Sequence, residues 1–192
     1  MASLLRRRLL AAGLALPFAK TTLAQPLTCG TATPPETEGP FFKPKSPLRA
    51  SLIEKNSASR KLVVTGLVLS AQCKPVAHAL LDFWHADESG EYDNQGFRYR
   101  GHQFTDAEGR YRLETIVPAE YPGRARHIHV KLQAPKQNIL TTQLYFPGDP
   151  GNRRDSLFRP DLAMRMAAPG AGQFDFVIET EGSGRSRPTK AR

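Results

Sequence analysis

His127-Ile128-His129 sets two imidazoles two positions apart in the chain. In a β-strand, residues i and i+2 share one face at a spacing of roughly 7 Å. Both rings would then turn to one side, with Ile128, Val130 and Leu132 turned to the other. Tyr121 stands six residues upstream in a Pro/Gly-rich turn, and Tyr92 lies further back in Gly90-Glu91-Tyr92. A phenol with a pKa of about 10 binds as phenolate only where a strongly Lewis-acidic ion displaces its proton. Anionic oxygen combined with imidazole nitrogen favours a hard trivalent ion over Zn²⁺ or Cu⁺. Taken alone, a His-x-His beside Lys131 reads more readily as a pair of surface histidines; the tyrosines change that balance. Tyr111 and Tyr145 fall inside strand patterns and read as core or sheet residues, and Tyr99 as a loop aromatic. Residue types alone do not select Tyr92 over Tyr99.

The elements that must carry these residues are short and β-like. Residues 61–70 are rich in β-branched and aliphatic side chains bounded by turn formers, which predicts a strand. Further strands are expected over residues 79–87, 110–116, 126–133, 139–146 and 173–179, with a short helix over 158–166. Residues 25–59, rich in Pro, Thr and Glu and without either period, read as an extended arm laid over the domain. With so little helix, the fold class is all-β, an antiparallel β-sandwich with an extended N-terminal arm.

The chain of 192 residues is long enough for one domain with a real core and leaves little for a second. Its formal charge of +9 invites a nucleic-acid reading until the charges are located. Arg6, Arg7, Arg8 and Lys20 lie in residues 1–24, which hold no acid. Arg185, Arg187, Lys190 and Arg192 lie in the tail against Glu181. The body between carries only about +2, mixed in sign and without a basic stripe, so nucleic acid is not an expected partner. Residues 1–24 combine a basic start, an apolar run over 9–18 and the small-residue stretch Thr22-Leu23-Ala24. They read as a signal peptide, with consecutive arginines that suggest twin-arginine export to the periplasm or beyond. The apolar run is too short for a membrane span. The domain is expected over 25–180, followed by a basic disordered tail over 181–192. Cys29 and Cys73 are the only cysteines, and in an oxidising compartment an even pair defaults to one disulfide.

Several ordered segments resemble one family. Trp84-His85-Ala86-Asp87-Glu88-Ser89-Gly90-Glu91-Tyr92 is similar to the W-H-A-D-x-x-G-x-Y segment of the intradiol ring-cleavage dioxygenases. Arg124-Ala125-Arg126-His127-Ile128-His129 is similar to its R-x-x-H-I-H. Thr142-Gln143-Leu144-Tyr145-Phe146 with Gly148-Asp149-Pro150 is similar to its Q-L-Y-F-x-G-D-P. Thr105 to Gly109, leading through Thr115-Ile116-Val117-Pro118 to Tyr121, also matches. So does the arm segment Thr33-Pro34-Pro35-Glu36-Thr37-Glu38-Gly39-Pro40-Phe41-Phe42. The resemblance is to the protocatechuate-type catalytic domain or the small single-domain exported members, because the long helical N-terminal domain of the catechol and hydroxyquinol members has no counterpart.

The resemblance implies a non-haem Fe(III) held by Tyr92, Tyr121, His127 and His129, with Tyr121 the ligand that leaves when a diol binds. It implies cleavage of a catechol-type 1,2-diol between its hydroxylated carbons by O₂, giving a muconate-type diacid. Arg124 would stabilise negative charge on the ring, while Gln143, Gly39 and Pro40 would line the pocket. His85, His78 and His102 match no ligand and are expected to pack or hydrogen-bond. The loop from Tyr121 to His127 is shorter than in the best-known aromatic-degrading members, so the particular diol does not follow. Two readings from other classes stand beside this one. One is a non-catalytic β-sandwich binding module at the cell surface, and the other a copper or zinc carrier that uses His127 and His129 without the tyrosines.

Overall fold

The computed structural model describes residues 30–55 and 57–179. The signal-peptide segment, Cys29 and the basic tail lie outside the described residues.

Among the described residues, nine strands form two stacked sheets, the β-sandwich that the strand spacing predicts. They are β1 Lys61–Ser70, β2 Leu80–Trp84, β3 Arg100–Phe104, β4 Arg110–Ile116, β5 His127–Gln133, β6 Leu140–Tyr145, β7 Arg165–Ala168, β8 Ala171–Gln173 and β9 Phe176–Ile178. One sheet runs β3-β2-β5-β6 and is wholly antiparallel. The other runs β4-β1-β8-β7, and its pairing is mixed. β1 is long enough to pair in parallel with β8 through Val63–Thr65 and then with β9 through Val68–Ser70.

Alternation decides what each strand buries. Leu62, Val64 and Val68 from β1 meet Leu81, Phe83, Ile128, Val130, Leu132 and Leu144 from the facing sheet, and all are at most 1% exposed. The opposite faces of β2, β5 and β6 therefore turn away from the core, which places His127, His129 and Gln143 together on one outer face.

Two expected elements differ. Residues 158–166 do not form a helix: Pro160–Leu162 makes a single 3₁₀ turn, and the chain then extends into β7. Pro160 begins that turn, and buried Leu162 and Met164 follow a period of two rather than 3.6. The strand expected over 173–179 is broken in two. Asp175 sits at the break and accepts the Leu67 backbone N–H at 2.9 Å in place of a ladder bond. β3 was not marked out by the sequence, being polar and lying at the sheet edge.

The arm runs over the sandwich as expected and ties its edges together. Its backbone bonds to Val177, then to Thr141 of β6, then to His102 of β3 and Glu114 of β4. Between those points it crosses the outer face that carries the histidines. Among the described residues, no helix is long and apolar enough to cross a membrane.

Candidate metal centre

The antiparallel register aligns four side chains in one row across the sheet. Arg100 of β3 faces Trp84 of β2, Trp84 faces His129 of β5, and His129 faces Gln143 of β6. One step along, His127 faces Tyr145. The imidazole of His129 lies flat on the Trp84 indole, with centroids 4.7 Å apart and planes 5° from parallel. His127 directs Nδ1 at the Ala125 carbonyl oxygen at 2.7 Å, so Nδ1 carries the proton and Nε2 presents a lone pair.

Tyr92 comes from the loop between β2 and β3. Asp87 shapes that loop: its Oδ1 accepts the backbone N–H groups of Ser89 and Glu91, and its Oδ2 pairs with Arg98 at 2.6 Å. Gly90 is required there. Its φ is +89°, and a Cβ would stand 2.3 Å from the Glu120 carbonyl oxygen, so only glycine lets this loop touch the segment that carries Tyr121.

Three donor atoms converge. The Tyr92 hydroxyl lies 3.1 Å from His127 Nε2 and 3.2 Å from His129 Nε2, and the two Nε2 atoms are 3.1 Å apart. All three residues are at most 9% exposed. Burial pushes His127 down to about 4 and His129 well below its ordinary value, so both rings are neutral, as ligands must be. Burial pushes the Tyr92 phenol up, with Arg124 and Arg100 opposing. Tyr121 is half-buried. Its ring meets Tyr92 edge-on at 5.8 Å and Phe41 at 5.3 Å, but among the described residues its hydroxyl has no hydrogen-bond partner.

The donor set fits a metal ion. Tyr92 Oη, His127 Nε2 and His129 Nε2, 3.1–3.2 Å from one another, are close enough that all three could hold one ion. His127 Nε2 presents its lone pair into this cluster, and His129 Nδ1 is buried with no hydrogen-bond partner among the described residues.

The predicted Arg124 lies beside this cluster, held by three partners. Nε bonds both carboxylate oxygens of Asp155 at 3.0 Å, and Nη2 bonds Gln143 Oε1 at 2.7 Å and the Tyr145 hydroxyl at 3.1 Å. Gln143 Nε2 donates to the Thr37 carbonyl oxygen at 2.8 Å, which fixes its amide and ties the arm to β6. Gly39, with φ +69°, passes over the site so closely that a Cβ would lie 3.5 Å from His129 Cε1. Pro40 beside it is exposed. His85 is no part of the cluster: its Nδ1 meets the Ala86 carbonyl oxygen and its Nε2 the Thr115 hydroxyl. His102 bonds Ser46, and His78 is an exposed turn residue.

Asp155, Tyr145 and Phe41 were not singled out from the sequence. Tyr145 was legible in principle, because the alternation that pairs His127 with His129 also pairs Gln143 with Tyr145. Asp155 lies in an irregular stretch, and no periodicity marks it.

Known proteins share this architecture. A family model described as Dioxygenase matches residues 37–166. The chlorocatechol 1,2-dioxygenase of a Pseudomonas species is 30% identical over 175 residues, covering 76% of this chain and 70% of its own. The protocatechuate 3,4-dioxygenase beta chain of Burkholderia cepacia is 38% identical over 117 residues, covering 52% of this chain; the present chain spans half of that relative's length. Among solved structures, the dioxygenase domain of a dioxygenase–carbohydrate-binding fusion from Streptomyces sp. SirexAA-E superposes with a TM-score of 0.75 at 55% identity. That match covers 78% of this chain and 99% of the other. The 3-chlorocatechol 1,2-dioxygenase of Rhodococcus opacus superposes with a TM-score of 0.70 at 26% identity, covering 77% and 72%. With the family model spanning most of the domain and the sandwich shared with these enzymes, the chain belongs to the intradiol ring-cleavage dioxygenases.

Proposed function

We propose that this protein is a ferric intradiol dioxygenase that cleaves a catechol-type 1,2-diol between its hydroxylated carbons with O₂, releasing a muconate-type diacid. The observation that carries the reading is the buried triangle of Tyr92 Oη, His127 Nε2 and His129 Nε2, with Tyr121 at its side. Those four residues are the proposed ligands. Fe(III) held there would supply Lewis acidity toward the diol.

The chain's own residues divide the remaining work. His127 and His129 are held rigidly, one by the Ala125 carbonyl and one by the Trp84 indole. Tyr92 is pinned under the Phe41 ring, 4.5 Å away and 14° from parallel. Tyr121 sits in a turn with its hydroxyl uncommitted, so it is the ligand able to swing aside, and its Oη accepts a proton from the incoming diol. Arg124 has Nε and Nη2 engaged; Nη1 has no partner among the described residues and supplies preorganised positive charge for an anionic ring. Gln143, Gly39 and Pro40 form the adjoining wall, where the arm lies against β6.

Two companion proposals concern the segments outside the described residues. We infer that residues 1–24 direct export. We also infer that Cys73, which is not a free thiol, pairs with Cys29.

The test of the ligand set is optical. Protein carrying one iron per chain should be red-brown from tyrosinate-to-iron charge transfer, and Tyr92→Phe and Tyr121→Phe should each weaken or abolish the band. A colourless protein with stoichiometric iron contradicts the ligand set.

A further inference from the structure

We propose that Arg100 is a positioning residue for Tyr92, a buried clamp that joins the arm to the tyrosine loop and holds the ring between them. Arg100 opens β3 and is 1% exposed. None of the ion pairs among the described residues involves it. A buried guanidinium outside any direct ion pair is costly, its Nη2 has no hydrogen-bond partner among the described residues, and an apolar residue would fill an edge strand at less expense. Its hydrogen bonds supply the reason for its presence.

Nε donates to the Asp93 carbonyl oxygen at 2.9 Å, and Nη1 donates to the Phe41 carbonyl oxygen at 2.6 Å. Asp93 is the residue bonded to Tyr92 in the chain, and Phe41 is the residue whose ring lies on Tyr92. One side chain thus grips both neighbours of the phenol, from segments 7 and 59 residues away. Lys43 closes the same seam from outside: its ammonium donates to the Gln95 and Gly96 carbonyl oxygens at 2.6 and 2.7 Å and lies 4.6 Å over the Phe97 ring. The guanidinium offers its donors in a fixed planar fork on a delocalised cation, so lysine in its place is not an equivalent. The clamp stands on these contacts alone; its consequence for metal binding rests on the reading of Tyr92 as a ligand.

The experiment uses the full chain labelled with 3-fluorotyrosine, the Tyr92 resonance being assigned with Tyr92→Phe. In metal-free wild-type protein the resonance should report a ring held in one environment. In Arg100→Met it should shift and sharpen toward that of a freely turning ring, and in Phe41→Leu it should move the same way with Arg100 intact. Fe(III) affinity of Arg100→Met should fall by roughly 10- to 100-fold, as is common when the support of a metal ligand is removed.

A folded Arg100→Met protein with wild-type Tyr92 resonance and wild-type iron affinity overturns the proposal. Should that variant fail to fold, wild-type protein decides: the Arg100 Nε proton should resist exchange with water at neutral pH, and free exchange overturns the clamp. A wild-type protein that binds iron without colour, but whose Tyr92 resonance still depends on Arg100, supports the clamp and removes only its metal consequence.

Discussion

At the scale of single residues, the central fact is that three polar atoms from three side chains meet within 3.2 Å in a buried place. In the proposed reading a cation draws these three atoms together. The residues behind the proposed ligands matter as much as those side chains, because each one removes a degree of freedom. Asp155 shows this most directly. Its carboxylate is 1% exposed and Arg124 is 17% exposed, so the pair is effectively buried. Removing one partner of a buried pair costs about 3–5 kcal/mol, so Asp155→Ala should lower the unfolding free energy by that order in chemical denaturation. Because the guanidinium then loses two of its fixed bonds, turnover should fall while the colour of the iron-loaded protein persists. Arg124→Lys should also retain colour and lose activity, since an ammonium cannot span Asp155 and Gln143 together. Steady-state kinetics beside visible spectra check both; wild-type turnover in either variant contradicts the role given to Arg124.

At the scale of elements, the site is a consequence of register. β5 buries Ile128, Val130 and Leu132 and so must present His127 and His129 outward, while pairing with β2 and β6 brings up Trp84 and Gln143. This part was legible, because an alternating strand states its two faces directly, and 61–70 was equally plain as an uninterrupted β-branched run. Segment 158–166 departs from its helical spacing for a physical reason: Phe158 packs on Tyr145, Leu162 enters the core and Met166 pairs with Gly172 of β8. Loop geometry was not legible either. Choosing Tyr92 over Tyr99 depends on Asp87 and Gly90, whose effects are tertiary.

The turn after β2 also carries a pH-dependent contribution. Burial holds His85 down to about 4 against an ordinary 6.5, and the Thr115 hydroxyl donates to its unprotonated Nε2. In this range the unfolded chain takes up a proton that the folded His85 refuses. Its contribution to stability is therefore full above about pH 6.5 and is lost as pH falls toward 4. At 1.36 kcal/mol per pKa unit, the loss is on the order of 3 kcal/mol. Thermal melts of metal-free protein should fall across that interval, and His85→Gln should fall less steeply. Parallel slopes would contradict the assignment.

At the scale of the whole molecule, the arm is the integrating element. It bonds to Val177, Thr141, His102 and Glu114 in turn, covers three sheet edges and roofs the Tyr92–His127–His129 cluster on the way. Lys131 pairs with Glu38 of the arm and lies 3.8 Å over the Phe42 ring, a second fastening beside Gln143 and Thr37. A disulfide from Cys29 to Cys73 would anchor the start of this arm to the turn after β1. Thiol titration of unfolded protein should then find no free thiol before reduction and two after; two before reduction would remove the bridge.

The claim that draws all three scales together is that the iron-loaded protein opens an aromatic diol with oxygen. The most direct measurement supplies ¹⁸O₂ to the coloured, iron-loaded protein across catechol, protocatechuate, hydroxyquinol and larger diphenols. Oxygen uptake and the mass of the product are then followed together. At least one diol should consume one O₂ per ring and yield a muconate-type diacid labelled from ¹⁸O₂. A correctly coloured protein that consumes no oxygen with any diol in the panel, or that yields an unlabelled product, would contradict the account.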